Sequence, residues 1–79
     1  MPLSLGEIAR RKDAARAKAD CGQWNASNPI GTAVTVRKDD GSIHNGVTRS
    51  EAQVSQSGHA VIFVSGISGY YSLSRVEAV

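Results

Sequence analysis

The chain has 79 residues, of which 41% are hydrophobic and 20% are charged, and its formal net charge is +2. This length allows a single domain, and the charged fraction is too small and too balanced for a disordered chain. A net charge this close to zero permits a nucleic-acid or acidic partner without requiring one.

Three features bear on where the protein acts. The single cysteine, Cys21, excludes an intrachain disulfide and fits a reducing compartment. The N-terminal stretch MPLSLGEIARRKDAARAK carries charges where a signal peptide has its apolar segment. No stretch approaches the roughly 18 apolar residues of a membrane-spanning helix. The sequence therefore predicts a cytoplasmic protein with no membrane partner.

The first segment is typical of a helix, because alanines alternate with arginine and lysine from Leu5 to Asp20. Asn28-Pro29 ends any helical tendency, since a proline disfavours helical backbone in the residue before it. The apolar stripe of this helix is mostly alanine, which buries little area. We therefore expect it to dock only through Ile8 and Trp24, and we expect removal of residues 1–19 to leave the rest of the chain folded.

From Pro29 onward the periodicity changes from that of a helix to that of short strands. Asp40-Gly41 is a strong hairpin signal, and further turns follow at residues 55–58 and 66–69. Gly46, inside the second strand, indicates a bulge or a close approach of another segment. The near-continuous apolar run from Ala60 to Ser65 is typical of a strand that is covered on both faces.

A sheet this small cannot leave both of its faces wet, and bending it into a nearly closed barrel also removes exposed edges. The sequence therefore predicts a mostly β fold with an N-terminal α-helix and a small SH3-like β-barrel of four to five antiparallel strands. Residues 1–28 would form the helix and connector, and residues 29–79 the barrel.

Three stretches carry a resemblance to a known group of proteins. They are Asn28-Pro29-Ile30-Gly31-Thr32, Thr48-Arg49-Ser50-Glu51-Ala52 and Gly66-Ile67-Ser68-Gly69-Tyr70. From about Trp24 to Val76 the chain resembles small proteins encoded by bacterial phages, prophages and plasmids, although Ala33 stands where members often have a proline. The resemblance implies a mobile-element accessory protein in a bacterial host, of a kind that includes anti-CRISPR and other anti-defence inhibitors. It implies no catalytic residues.

The residues that usually carry catalysis or metal binding form no recognisable motif. Cys21, His44 and His59 share no spacing that zinc sites use. The sequence has no Gly-x-Ser-x-Gly nucleophile elbow and no phosphate-binding glycine loop. It therefore predicts a protein that is not an enzyme and that has no catalytic residues, metal site or cofactor.

Basic residues are concentrated in the N-terminal helix. They are Arg10, Arg11, Lys12, Arg16 and Lys18. At 100° per residue these side chains surround the helix instead of forming one stripe. They indicate either an ordinary solvated helix or an arm that contacts phosphates or an acidic partner.

Aromatic residues make up 5% of the chain, so each position is informative. The period-two alternation of strands predicts one inward-facing set near the C-terminus: Ile62, Val64, Tyr71 and Leu73. The same alternation leaves Phe63 and Tyr70 on the outer face. Two alternatives remain open there: either Trp24 and the helix cover this face, or it is an exposed binding patch.

These observations predict a non-enzymatic interaction protein that binds a host or phage protein complex through one face of the barrel. The candidate partner-binding residues are Tyr70, Phe63 and Arg49. The resemblance implies that binding inhibits a host defence complex of the CRISPR-Cas type. The alternative is a nucleic-acid-binding accessory protein that uses the basic helix, and its candidate residues are Arg10, Arg11, Arg16 and Lys18.

Overall fold

The computed structural model describes residues 5–79, and it describes side chains from residue 14 onward. Its elements are α1 (Leu5–Ser27), β1 (Ala33–Arg37), β2 (Ile43–Val47), β3 (Gln53–Val54), β4 (Ala60–Phe63), β5 (Tyr70–Ser72) and β6 (Val76–Ala78), with a 3-10 turn (Leu73–Arg75) between the last two strands. The predicted combination of an N-terminal helix with a mostly β body is confirmed.

The strands form two small antiparallel sheets, in the orders β2-β1-β6 and β3-β4-β5. A single bridge between Thr48 and Val64 connects them. Within residues 5–79 the two sheets do not form a closed barrel, and the predicted SH3-like arrangement stays a prediction. The physical reason is that β5 and β6 have three residues each and pair with β4 and β1 alone, so the seam between them stays open.

The helix is longer than the sequence predicts, since it continues past Asp20 and Gly22 to Ser27. It ends directly before Asn28-Pro29, where the sequence predicts that any helical tendency stops. The main-chain N–H of Asn28 and its side-chain Nδ2 both donate to the carbonyl oxygen of Trp24, at 2.8 and 3.2 Å. These bonds satisfy an acceptor that the last turn of a helix would otherwise leave unpaired.

The core lies between the two sheets and the second half of the helix. Its almost completely buried side chains are Val34, Val36, Ile62 and Val64. Leu73 is also buried and Tyr71 packs against the same cluster. The inward-facing set predicted from strand alternation is therefore confirmed.

The helix belongs to this core. Cys21 is only 6% exposed and is part of the buried cluster, and Trp24 packs against it. The expectation that docking depends on Ile8 and Trp24 is therefore incomplete, because Cys21 and the buried Ala17 also dock. The Ile8 side chain lies outside the part of the chain whose side chains are described.

A pair of hydrogen bonds fixes the helix to the second sheet. The Nδ2 of Asn25 donates to the carbonyl oxygen of Ala52 at 3.0 Å, and the N–H of Ala52 donates to Oδ1 of Asn25 at 2.8 Å. We call this pair the Asn25–Ala52 clamp. Deletion of residues 1–19 removes neither partner of the clamp, but it removes the buried Ala17. The stability of the chain without these residues stays a prediction.

The Asn25–Ala52 clamp replaces hydrogen bonds that an irregular pairing between residues 49–53 and β4 leaves unmade. Arg49 lies opposite Phe63, since its N–H donates to the Phe63 carbonyl oxygen at 2.8 Å. Gln53 lies opposite Val61. Residues 50–52 therefore face a single residue of β4, which is a bulge. The buried N–H and C=O of Ala52 find their partners on the helix instead.

Gly46 allows β2 to lie against the turn that follows β4. A Cβ atom at this position would lie 2.8 Å from the carbonyl oxygen of Ser65 and 2.9 Å from its Oγ. The same turn is held by a hydrogen bond of 2.9 Å from the N–H of Val47 to Ser65 Oγ. The predicted close approach at Gly46 is confirmed.

Two glycine substitutions should have opposite effects on stability. Gly22 lies in the helix with nothing within 4 Å of a Cβ atom, so Gly22→Ala should raise the free energy of unfolding by up to about 1 kcal/mol through helix propensity. Gly46→Ala should lower it by about 1–3 kcal/mol, because Ser65 would have to move. Urea denaturation of both variants checks this, and effects of the same sign would contradict it.

Candidate functional site

The outer face of the sheet β3-β4-β5 is the surface on which the predicted binding residues lie. Val61 pairs with Ser72 and Phe63 pairs with Tyr70 across β4 and β5. Because successive side chains of a strand point to opposite faces, these four side chains lie opposite the core residue Ile62. The sheet therefore separates the core from a second surface that carries aromatic groups.

The structure places Arg49, Phe63 and Tyr70 in one row across this face. In the bridge between Thr48 and Val64 both side chains are buried, and Thr48 is only 2% exposed. The next pair along, Arg49 and Phe63, therefore faces outward. We call these three residues the aromatic row. The sequence predicted each of them as a binding residue, and the fold brings them together.

Tyr70 is the accessible member of the row. Its side chain is 57% exposed, whereas Phe63 is half-buried. The two rings meet edge to face, with centroids 6.1 Å apart and planes at 85°. Such aromatic pairs contribute about 0.5–1.5 kcal/mol beyond their buried area. Phe63 thus supports the Tyr70 ring in one position at the surface.

Trp24 does not cover the outer face of the sheet β3-β4-β5. It packs against the buried core cluster, to which Ile62 and Val64 belong and Phe63 does not. Of the two alternatives for the outer face, the structure favours the one in which Tyr70 is open to a partner. The second half of the helix covers the core and leaves this face free.

Two clefts adjoin at Tyr70. One, of about 410 Å³, is lined by residues that include Gln53, Val54 and Phe63. The other, of about 540 Å³, extends over Ser72 to Asp39 and Arg75, whose Oδ1 and Nη1 atoms form an ion pair of 3.8 Å. Val61 and Tyr70 line both clefts.

The rim of this surface consists of hydroxyl groups. Ser55 and Ser57 share a hydrogen bond of 2.9 Å, and Ser72 and Ser74 share another of 2.9 Å. An apolar centre with a polar rim is the usual anatomy of a protein interface. The alternation in Tyr-Ser-Leu-Ser indicates from the sequence that one side of this segment can be wet, but the sequence did not identify these serines as the rim of a site.

The basic residues of the helix do not form one surface in the part that is described. Arg16 and Lys18 are both exposed, but two helical positions differ by about 200° in direction. Arg16 lines a cleft of about 420 Å³ together with Asp20 and His59. The side chains of Arg10 and Arg11 lie outside the residues whose side chains are described.

Cys21 lies in surroundings that keep its thiol protonated. Burial raises the pKa of the Cys21 thiol, and the nearby Asp20 carboxylate raises it further. The thiol is therefore protonated at neutral pH and is a poor nucleophile. Among the residues described, no three His, Cys, Asp or Glu side chains are grouped so that they could hold a metal ion.

No protein-family model, curated protein or solved structure matches this chain. The resemblance to phage and plasmid proteins, and the anti-defence activity that it implies, therefore stay predictions. Within residues 5–79, no helix combines the length and the apolar character that crossing a membrane requires.

The two aromatic residues should differ in what they contribute to stability. Phe63→Ala removes a half-buried ring beneath Tyr70 and should lower the free energy of unfolding by about 2–4 kcal/mol. Tyr70→Ala removes a mostly exposed ring and should lower it by about 1 kcal/mol. Urea denaturation of both variants measures the difference. Equal losses would place Tyr70 in the core and contradict its assignment as an open surface residue.

Proposed function

We propose that this protein is a non-enzymatic binding module that contacts a partner protein through the aromatic row and the clefts beside Tyr70. The observation that carries the proposal is a mostly exposed tyrosine, held edge to face on Phe63, in the same row as an exposed arginine. Tyrosine and arginine are enriched among the residues that dominate binding energy in protein interfaces.

The distribution of polar groups supports binding over catalysis. Thr48 is the buried polar residue among those described, and its Oγ1 accepts a hydrogen bond of 3.0 Å from the N–H of Gly31. This contact joins two loops and is structural. The clefts at Tyr70 are open to solvent, whereas an active site generally surrounds its substrate and excludes water.

The arrangement of the strands supports an SH3-like fold with one open seam. The last strand, β6, returns to pair with the first, β1, and the Thr48–Val64 bridge joins the two sheets on the other side. In this proposal the seam between β5 and β6 is the place where a fully closed barrel would continue its hydrogen bonding.

The resemblance to phage and plasmid proteins supports a more specific version of the proposal. In that version the partner is a component of a bacterial defence complex, such as a CRISPR-Cas complex, and binding inhibits it. The nucleic-acid alternative has weaker support, because Arg16 and Lys18 point in different directions from the helix and Asp20 lies close to Arg16 in the same cleft.

A binding experiment with a matched control tests the proposed surface. The whole chain and its variants Tyr70→Ala, Arg49→Ala and Ile43→Ala are immobilised and exposed to bacterial lysate, with and without nuclease treatment. Ile43 is 56% exposed, almost the same as Tyr70 at 57%, but it lies on the other sheet. We expect one captured protein to bind Tyr70→Ala and Arg49→Ala at least about tenfold more weakly, and Ile43→Ala unchanged.

Two results would contradict this proposal. Equal capture by all four proteins would show that the partner binds elsewhere. Capture that disappears after nuclease treatment, and that weakens steeply with salt, would favour the nucleic-acid alternative, because neutralising phosphates releases counterions.

A further inference from the structure

The hydrogen-bonding direction of β4 can be read from its neighbours. The N–H of Ser55 donates to the carbonyl oxygen of His59, and the N–H of Arg49 donates to that of Phe63, both at 2.8 Å. Hydrogen-bonded and non-hydrogen-bonded pairs alternate along an antiparallel ladder. The odd-numbered residues of β4 therefore direct their main-chain groups toward β3, and Ile62 directs its own toward β5.

The same alternation determines which groups of β5 are free. Ile62 lies opposite Tyr71, so these two residues form the hydrogen-bonded pair. Tyr70 and Ser72 then direct their N–H and C=O groups away from β4. Within residues 5–79, β5 pairs with β4 alone. The C=O of Ser72 accepts the first hydrogen bond of the 3-10 turn that follows it, so the free groups of this edge are the N–H and C=O of Tyr70 and the N–H of Ser72.

The free edge opens onto the larger of the two clefts at Tyr70, the one of about 540 Å³. All three residues of β5 line this cleft, and the ion pair between Asp39 and Arg75 stands at its border. We call it the β5 cleft. It places an exposed aromatic ring beside a row of unpaired main-chain groups.

We propose that an extended segment of the partner protein binds in the β5 cleft as an added strand, hydrogen-bonded to the main chain of Tyr70 and Ser72. An apolar side chain of that segment packs against the Tyr70 ring on the outer face. This inference rests on the proposed function and names the form of the partner. Adding a strand to a free sheet edge is a general mode of peptide recognition.

The chemistry of the cleft selects a polypeptide over a nucleic acid. A strand edge offers donors and acceptors in alternation, which matches another main chain, whereas phosphate oxygens only accept. The charges at the border, Asp39 and Arg75, are paired with each other, so the cleft offers no net positive charge to attract phosphates. A second copy of this chain fits less well, because Asp39 and Arg75 border the free edge and a whole folded sheet needs more room than a single extended segment.

One substitution removes a donor of the edge and leaves the fold intact. Ser72 has φ −63° and ψ 129°, and proline requires a φ near −65° and has no N–H. Tyr71, which precedes it, is in extended strand conformation, as a residue before proline prefers. Ser72→Pro therefore removes the outward N–H without disturbing the Ile62–Tyr71 pair. Ser72→Ala is the control, since both variants lose the hydroxyl.

The probe is a peptide selected from a random decapeptide display library against the whole protein. We expect fluorescence anisotropy to show binding at least about tenfold weaker for Ser72→Pro and for Tyr70→Ala, and within about twofold of wild type for Ser72→Ala. In amide hydrogen exchange, Tyr71 should be protected in the free protein, whereas Tyr70 and Ser72 should become protected only when the peptide binds.

The outcomes separate this inference from the proposed function. If Ser72→Pro binds like Ser72→Ala while Tyr70→Ala binds weakly, strand addition is overturned, but the proposed binding surface at Tyr70 is kept. If Tyr70→Ala also binds like wild type, both strand addition and the proposed binding surface are overturned. Failure to select any peptide, or a dimer in light scattering that Ser72→Pro abolishes, overturns the inference. Should Ser72→Pro not fold, the wild-type exchange of Tyr70 and Ser72 decides: protection by the peptide supports strand addition, and unchanged exchange overturns it.

Discussion

The Asn25–Ala52 clamp is the interaction on which the rest of this structure depends. The bulge at residues 50–52 leaves the buried main chain of Ala52 without a partner on β4, and an unpaired buried N–H or C=O costs about 1–3 kcal/mol. The Asn25 side chain satisfies both groups at 2.8 and 3.0 Å. It thereby holds Cys21 and Trp24 over an open pair of sheets that cannot enclose a core alone.

The position of the helix explains why the outer face of the sheet β3-β4-β5 stays exposed. The helix covers the inner side of the second sheet, where Ile62 and the following Val64 lie, while Arg49, Phe63 and Tyr70 lie in a row on the outer side. The same shortness of strands that leaves the barrel open leaves β5 with one unpaired edge. The short strands thus account both for the core that the helix must complete and for the free main-chain groups beside the exposed aromatic surface.

Local patterns in the sequence predicted the parts of the fold that depend on neighbouring residues. The stop signal at Asn28-Pro29, the alternation of Ile62 and Val64 against Phe63, and the close approach at Gly46 are examples. The helix from Cys21 to Ser27 was missed because Gly22 weakens an isolated helix, whereas docking of Cys21 outweighs that loss. The clamp, the open seam and the alignment of Arg49 with Phe63 depend on pairings between distant segments, which strand alternation cannot specify.

The most direct test of this account is the hydrogen-exchange rate of the Ala52 amide, whose partner in the structure is a side chain of the helix. If the second half of the helix is part of the core, Ala52 exchanges only through global unfolding. Its protection then equals that of the Ile62 amide at the centre of β4. An Ala52 amide that exchanges far faster than Ile62 would show that the helix detaches while the sheets stay folded, and would contradict the account.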